Sequence, residues 1–185
     1  MPSLYLVIDL INDLLAHDPM KGEVARRAVL ENTVMALARA RAAGANIAYV
    51  RVGFTGDFDE APAASPLFAG FKGSGMLQLG TAGTAVHPAV APAAGDIDIV
   101  KHGVSPFIGT SLDSEIARLG IDSIFISGVS TALAVSSAVR EAHDRGLAVT
   151  LIEDGCAAYD EAEHVAEVAM LARLCRVVSA VEAAF

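Results

Sequence analysis

Apolar positions along the chain follow two alternating patterns. Six short runs are rich in apolar, largely β-branched residues, and they predict strands at residues 3–8, 46–52, 96–101, 123–129, 147–154 and 175–181. Stretches with apolar residues three and four positions apart predict helices at residues 24–43, 110–120, 132–146 and 161–174. Strands that alternate with helices form parallel sheets covered on both faces. The sequence therefore predicts an α/β fold, a Rossmann-like three-layer α/β/α sandwich with a six-stranded, mostly parallel sheet.

One long connection, residues 53–95, interrupts this alternation. It is rich in Gly, Ala and Pro and only weakly periodic. A connection of this length in a compact domain is usually functional or contains structure of its own. We expect a short helix near residues 76–82 and a role as a lid or an oligomer contact. Because no repeat or linker divides the chain, we expect a single domain over residues 1–185.

Charge and apolar content restrict the classes of partner. The formal net charge is −9, and a negative field repels nucleic-acid phosphates and anionic membrane surfaces. No apolar stretch reaches the roughly 18 residues that a membrane span requires, and the first residues do not resemble a signal peptide. The two cysteines, Cys156 and Cys175, form no CxxC motif. We expect a cytoplasmic protein with buried thiols and a small-molecule substrate.

Polar residues follow three of the predicted strands. Asp9 follows the first strand, Lys101 ends the third, and the turn 128–131 follows the fourth. Ligands of such sheets bind beyond the carboxyl ends of the strands. Burial raises the pKa of an aspartate and a neighbouring ammonium lowers it, so Asp9 and Lys101 are either an acid–base pair or a structural ion pair. Backbone N–H groups at the start of the following helix favour an anion or oxyanion.

Three segments resemble the motifs of the isochorismatase-like hydrolases, also called the cysteine hydrolase superfamily. They are LYLVIDLINDLL at residues 4–15, IVKHGVSPFIGTSLD at 99–113 and GVSTALAVSSAVREAHDRG at 128–146. The resemblance implies a six-stranded parallel sheet, with Asp9 as the acid or base and Lys101 as its partner. It also implies a cis peptide between Val129 and Ser130. Position 134 matches the nucleophilic Cys of the amidase members, but here it is Ala134.

The alanine at position 134 determines which mechanisms remain. Amidase members need a thiolate to form an acyl-enzyme, which Ala134 does not provide. The resemblance to isochorismatase implies a hydrolase that acts on a small metabolite, with Asp9 and Lys101 in acid–base chemistry and water as the nucleophile. Two alternatives stay open: a catalytically impaired binding or assembly protein of the same fold, or a Cys-to-Ala form of an amidase.

Further residues near the strand ends are candidates for substrate binding. These are Arg51, Phe54, Phe107, Val129, Ser130 and Thr131. Some amidase members hold a metal through an Asp and two His residues after the second strand, whereas the 53–95 segment contains only His87. We therefore expect no metal and no cofactor. The resemblance also implies a homo-oligomer, a dimer or a tetramer.

Overall fold

Six strands form one parallel sheet in the computed structural model, which describes residues 2–185. The strands are β1 (Ser3–Ile8), β2 (Asn46–Val52), β3 (Ile97–Lys101), β4 (Ser123–Val129), β5 (Ala148–Ala157) and β6 (Arg176–Val178). They lie in the order β3-β2-β1-β4-β5-β6, and each neighbouring pair is parallel. The predicted α/β fold with a six-stranded parallel sheet is confirmed.

Helices cover both faces of the sheet. They are α1 (Asn12–Leu15), α2 (Met20–Arg26), α3 (Val29–Ala43), α4 (Pro66–Phe71), α5 (Leu112–Leu119), α6 (Ser136–Asp144) and α7 (Glu161–Leu171). A π-helical turn, Thr131–Val135, precedes α6, and a 3-10 turn spans Pro88–Val90. Within residues 2–185, none of these helices has the length and apolar content to cross a membrane.

Two predicted helices differ from the observed ones. The helix expected over 24–43 is divided into α2 and α3, because Ala28 takes a left-handed conformation with φ of 51°. The prediction of a short helix near residues 76–82 is wrong. Gly75, just before that stretch, and Gly80, within it, both adopt φ of 81°, which is not helical. The helix of this segment is α4 instead, where the Ser65 side chain accepts a hydrogen bond from the Phe68 N–H at 3.4 Å.

Alternate side chains of β1 enter two separate cores. Leu4, Leu6 and Ile8 pack in the core that contains α5 and α6, and Tyr5 and Val7 pack in the core that contains α2 and α3. All five are at most 1% exposed. A strand buried on both faces explains why SLYLVI is apolar throughout rather than alternating. The result is the predicted three-layer arrangement, with β1 at its centre.

Gly128 lets the end of β4 approach the end of β1. It pairs with Ile8 and adopts φ of 133°, a region that L side chains rarely take. A Cβ atom at this position would lie 2.0 Å from the Ile8 carbonyl oxygen. Only glycine therefore permits the strand spacing immediately before Asp9.

Replacing Gly128 with alanine should lower the free energy of unfolding by about 3 kcal/mol, because the new methyl group overlaps backbone that cannot move independently. The matched control is Gly70→Ala at an exposed position of α4, where a Cβ meets no atom within 4 Å. That change should raise the free energy by about 0.5–1 kcal/mol. Urea unfolding measures both, and equal stability of the two variants would contradict this role of Gly128.

Candidate active site

The order of the strands reverses between β1 and β4. From β1 the chain adds β2 and β3 on one side, and from β4 it adds β5 and β6 on the other. Ligand crevices of parallel sheets open beyond the carboxyl ends of the strands at such a reversal. Asp9 follows β1 and the turn 129–135 follows β4, so both lie at this point. Lys101 ends β3, and its long side chain reaches across to Asp9.

Asp9 and Lys101 form a buried ion pair. The Lys101 Nζ atom lies 2.8 Å from Asp9 Oδ2, and the two residues are only 2% and 3% exposed. Asp9 Oδ1 accepts a hydrogen bond from the Val52 N–H at 2.7 Å, and Lys101 Nζ donates to the Gly103 carbonyl at 2.9 Å. Both charged groups are therefore fixed by backbone groups of neighbouring strand ends as well as by each other.

Burial controls the protonation of the Asp9 carboxyl group. It raises the pKa of Asp9 above the ordinary value of 3.8, although the charge and hydrogen bond of Lys101 and the Val52 N–H act in the opposite direction. A carboxyl group with a raised pKa holds a proton more readily than an exposed aspartate. This property suits a group that must both accept and return a proton.

A cleft opens over the ion pair. Its empty volume is about 420 Å³, including the mouth that is open to solvent. The lining residues are Asp9, Leu14, Val52, Leu67, Phe68, Phe71, Leu77, Lys101, Val104, Val129, Ser130, Leu133, Ala134 and Tyr159. The peptide between Val129 and Ser130 is cis, as the resemblance implied. Five of the nine residues selected from the sequence thus meet in one cleft: Asp9, Lys101, Val129, Ser130 and Ala134.

The other four selected residues lie outside the cleft lining. Arg51 forms an ion pair with Asp98 at 2.7 Å. Phe54 is fully buried against other aromatic rings, and Phe107 is buried in the core beneath the Arg145 guanidinium. The fourth residue is Thr131, whose hydroxyl faces His164. A position at the rim of a strand therefore did not determine which way a side chain points.

Part of the lining came from residues that the sequence did not identify. Tyr159 follows β5, and Phe68 and Phe71 belong to α4 of the long 53–95 segment. Tyr159 had a usable signal, because β5 lies beside β4 and its carboxyl end must reach the same edge of the sheet. The α4 residues had none, since nothing in the periodicity of the segment shows where it folds back.

Asn12 and Asp13 attach the 53–95 segment to the sheet. The Asn12 side chain donates to the Ala82 carbonyl at 2.8 Å, and Asp13 Oδ2 accepts from the Leu77 N–H at 2.7 Å. A Cβ at Gly83 would lie 2.2 Å from Asp13 Oδ2, so the segment approaches very closely there. The Asn-Asp pair that follows β1 in the sequence therefore positions one wall of the cleft.

A buried polar network holds the turn after β4. The Thr131 hydroxyl lies 2.9 Å from His164 Nδ1, and His164 Nε2 lies 2.8 Å from Glu153 Oε1. Arg27 forms an ion pair with Glu153. When the imidazole is neutral, Nε2 donates to the carboxylate and Nδ1 accepts from the hydroxyl. The network joins the turn to β5 and α7, and sequence patterns had not singled out His164 for this role.

Removing the Glu153 charge should weaken this network in a pH-dependent way. Burial acts to raise the pKa of Glu153, but hydrogen bonds from His164 and Arg27 outweigh it, so the pKa is lowered. Stability from a lowered carboxyl pKa is present above the ordinary value of 4.5 and is lost as the pH falls through the folded-state pKa. Glu153→Gln should therefore lower the free energy of unfolding by about 1 kcal/mol at neutral pH.

Chemical denaturation at several pH values tests this expectation. The difference in the free energy of unfolding between the parent protein and Glu153→Gln should shrink as the pH falls below 4.5, the ordinary pKa of a glutamate. Glu31→Gln, on the exposed surface of α3, is the matched control and should change stability little at any pH. If Glu153→Gln lowers the free energy of unfolding by the same amount at neutral and acidic pH, the role of the carboxylate charge is contradicted.

Apart from Ser130, the serine and cysteine side chains considered as nucleophiles near the cleft are hydrogen-bonded or inert. The Ser136 hydroxyl donates to Glu167 at 2.6 Å, and Ser137 donates to Glu141 at 3.2 Å. Cys156 is fully buried, and burial raises the pKa of its thiol to about 12. The Ser130 hydroxyl is buried and has no hydrogen-bond partner within the described chain. Residues 2–185 also contain no cluster of three or more His, Cys, Asp or Glu side chains that could hold a metal ion.

Comparisons with known proteins show which proteins this chain is similar to. The chain is 34% identical over 131 residues to the isochorismatase family protein YecD of Escherichia coli O157:H7, a match that covers 69% of this chain and 65% of that protein. It is 30% identical over 131 residues to the ureidoacrylate amidohydrolase RutB of Methylorubrum extorquens, with 63% and 52% covered. The chain thus spans between half and two thirds of these curated relatives.

A solved structure and a family model extend the match over almost the whole chain. The crystal structure of an isochorismatase family protein from Desulfovibrio vulgaris has a TM-score of 0.86 at 24% identity, and the match covers 97% of this chain and 94% of that one. This likeness shows the fold. The family model of the isochorismatase domain matches residues 3–183. The chain therefore belongs to the isochorismatase family.

Proposed function

We propose that this protein is a hydrolase that acts on a small metabolite, with Asp9 and Lys101 as its acid–base pair and water as its nucleophile. The observation that carries the proposal is the buried ion pair, 2.8 Å between Nζ and Oδ2, on the lining of a cleft that also contains Ala134. RutB, a relative at 30% identity, is named an amidohydrolase, which favours hydrolysis as the reaction class.

The arrangement suits proton transfer to and from water. With an amide, the Asp9 carboxylate accepts a proton from a water molecule as the water oxygen bonds to the carbonyl carbon, and it then returns this proton to the departing nitrogen. With an enol ether, the protonated Asp9 carboxyl first gives its proton to the enol carbon. Water then attacks the resulting cation and returns a proton to Asp9, and the hemiketal that forms releases the alcohol. Lys101 compensates the carboxylate charge and holds its orientation. Backbone N–H groups at the start of a helix favour a developing oxyanion, and the 131–135 turn begins beside the cleft.

A binding protein that has lost turnover is the main alternative. Burying two charges costs several kcal/mol per ion, and a buried pair is often no more stabilising than apolar side chains of similar volume. A member without catalysis would therefore gain little stability from Asp9 and Lys101. Their placement on the wall of a cleft favours a chemical use.

Turnover measured on a panel of small amides and enol ethers, isochorismate included, tests the proposal. Asp9→Asn and Lys101→Met should each lower kcat by at least about 100-fold, because each removes a group that handles the proton or its charge. Asp98→Asn is the matched control, since Asp98 pairs with Arg51 outside the cleft. Its kcat should stay within about twofold of the parent value.

Two results would contradict this mechanism. Full activity in both Asp9→Asn and Lys101→Met would remove the acid–base role. A covalent enzyme–substrate adduct, detected by mass spectrometry during a single turnover, would show a side-chain nucleophile in place of water.

A further inference from the structure

We infer that the solvent-facing side of α7 is an interface for a second copy of this chain, with the two α7 helices packed antiparallel about a two-fold axis. This surface, the α7 face, consists of five exposed residues: Ala162, Val165, Ala166, Ala169 and Met170. None of these residues lines the cleft over Asp9 and Lys101, so the interface does not depend on the hydrolase proposed above.

The exposed side of α7 is almost entirely apolar. Six residues of the helix are exposed, and Glu161 is the single charged residue among them. Val165 and Met170 are 54% and 50% exposed. On α6, by contrast, the exposed residues are polar or charged: Arg140, His143 and Asp144. Because a surface helix normally presents polar residues to water, the α7 face is typical of a surface that another protein covers.

Opposite charges flank the α7 face. Asp160 and Glu161 are exposed at its start, and Arg173 is exposed just beyond its end. Asp160 and Arg173 form no ion pair within residues 2–185, while Glu161 also contacts two arginines at the end of α2. No exposed residue between Glu161 and Arg173 is charged. The surface is therefore an apolar strip with a negative end and a positive end.

A strip of this kind is complementary to itself when one copy is reversed. The middle of the α7 face lies next to Ala166, so antiparallel packing about that point places Arg173 of each protomer opposite Asp160 and Glu161 of the other. Both ends then gain contacts between opposite charges, and the helix dipoles also pair favourably. A parallel pair would bring like charges together instead. Such self-complementarity is what a two-fold interface requires, and it favours a second copy over an unrelated partner.

The charge on the rest of the chain favours the same face. The formal net charge is −9, so two copies repel each other over most approaches. At physiological salt this repulsion acts over a screening length of about 8 Å, which makes the local charges decisive. An approach over the uncharged α7 face meets the least repulsion. The small side chains of Ala166 and Ala169 also let the two helices come close together.

Sedimentation velocity at protein concentrations from about 1 to 500 μM measures the association. Because α7 is only about 16 Å long, the contact is smaller than a standard interface, and the parent protein should pass from monomer to dimer within this range. Ala166→Glu should weaken dimerisation at least about tenfold, since two carboxylates would face each other near the two-fold axis. Ala38→Glu is the matched control. It adds the same charge at an exposed alanine of α3 and should change the association constant by less than about twofold.

Arg173→Glu tests the charged ends of the strip. It should weaken dimerisation by about 3- to 10-fold, because a contact between opposite charges becomes repulsive at each end. Lys21→Glu makes the same change of charge at an exposed position of α2. This matched control should change dimerisation by less than about twofold.

Introduced cysteines test the antiparallel orientation. Ala166→Cys places a thiol next to the two-fold axis, so oxidation at high protein concentration should link two protomers through a disulfide. In Ala162→Cys the two thiols of an antiparallel dimer would lie about 13 Å apart along the helices, which is too far for a disulfide. The parent protein, with Cys156 buried and Cys175 half-buried, gives the background on a non-reducing gel.

Three results would overturn the inference: a parent protein that stays monomeric up to the highest concentration, a dimer that Ala166→Glu does not weaken, or cross-linking of Ala162→Cys as efficient as that of Ala166→Cys. Circular dichroism of each variant shows that its fold is retained. None of these measurements involves turnover. They are therefore separable from a failure of the proposed hydrolase, which depends on the Asp9→Asn and Lys101→Met activities.

Discussion

The buried pairing of Asp9 with Lys101 is the interaction on which the rest of the site depends. Two charges from strands separated by β2 meet at 2.8 Å where they are nearly inaccessible to solvent. Such a pair is costly to bury and must be held by additional hydrogen bonds. The Val52 N–H and the Gly103 carbonyl provide them. The parallel sheet makes this possible because it brings the carboxyl ends of three different strands to one edge.

Other parts of the fold maintain the space around the pair. Gly128 allows β4 to approach β1 closely, and the contacts of His164 hold the turn that follows β4. On the opposite side, Asp13 anchors the 53–95 segment, whose α4 helix forms part of the cleft wall. These residues are distant in sequence but all lie around the Asp9–Lys101 pair. The site is thus a product of the whole sheet edge rather than of one loop.

The sequence predicted those parts of the site that follow from the strand pattern. Asp9 and Lys101 were identifiable because apolar runs ended at them, and strand ends converge in a parallel sheet. Side-chain direction beyond a strand was not predictable, which is why Arg51 lies outside the cleft. The helix in the 53–95 segment was placed at the wrong residues, because glycine conformations and contacts with Asp13, rather than local periodicity, determine that fold. His164 lacked a signal because its partners are distant in sequence.

The most direct test of the central claim is the pKa of the Asp9 carboxyl, measured by NMR of protein labelled with ¹³C at aspartate side chains. We predict a pKa above the ordinary value of 3.8 in the parent protein, because burial outweighs the influence of Lys101. We also predict a further rise of the Asp9 pKa in Lys101→Met, where the compensating charge is gone. A pKa at or below 3.8 that does not respond to the Lys101 substitution would contradict the buried acid–base pair.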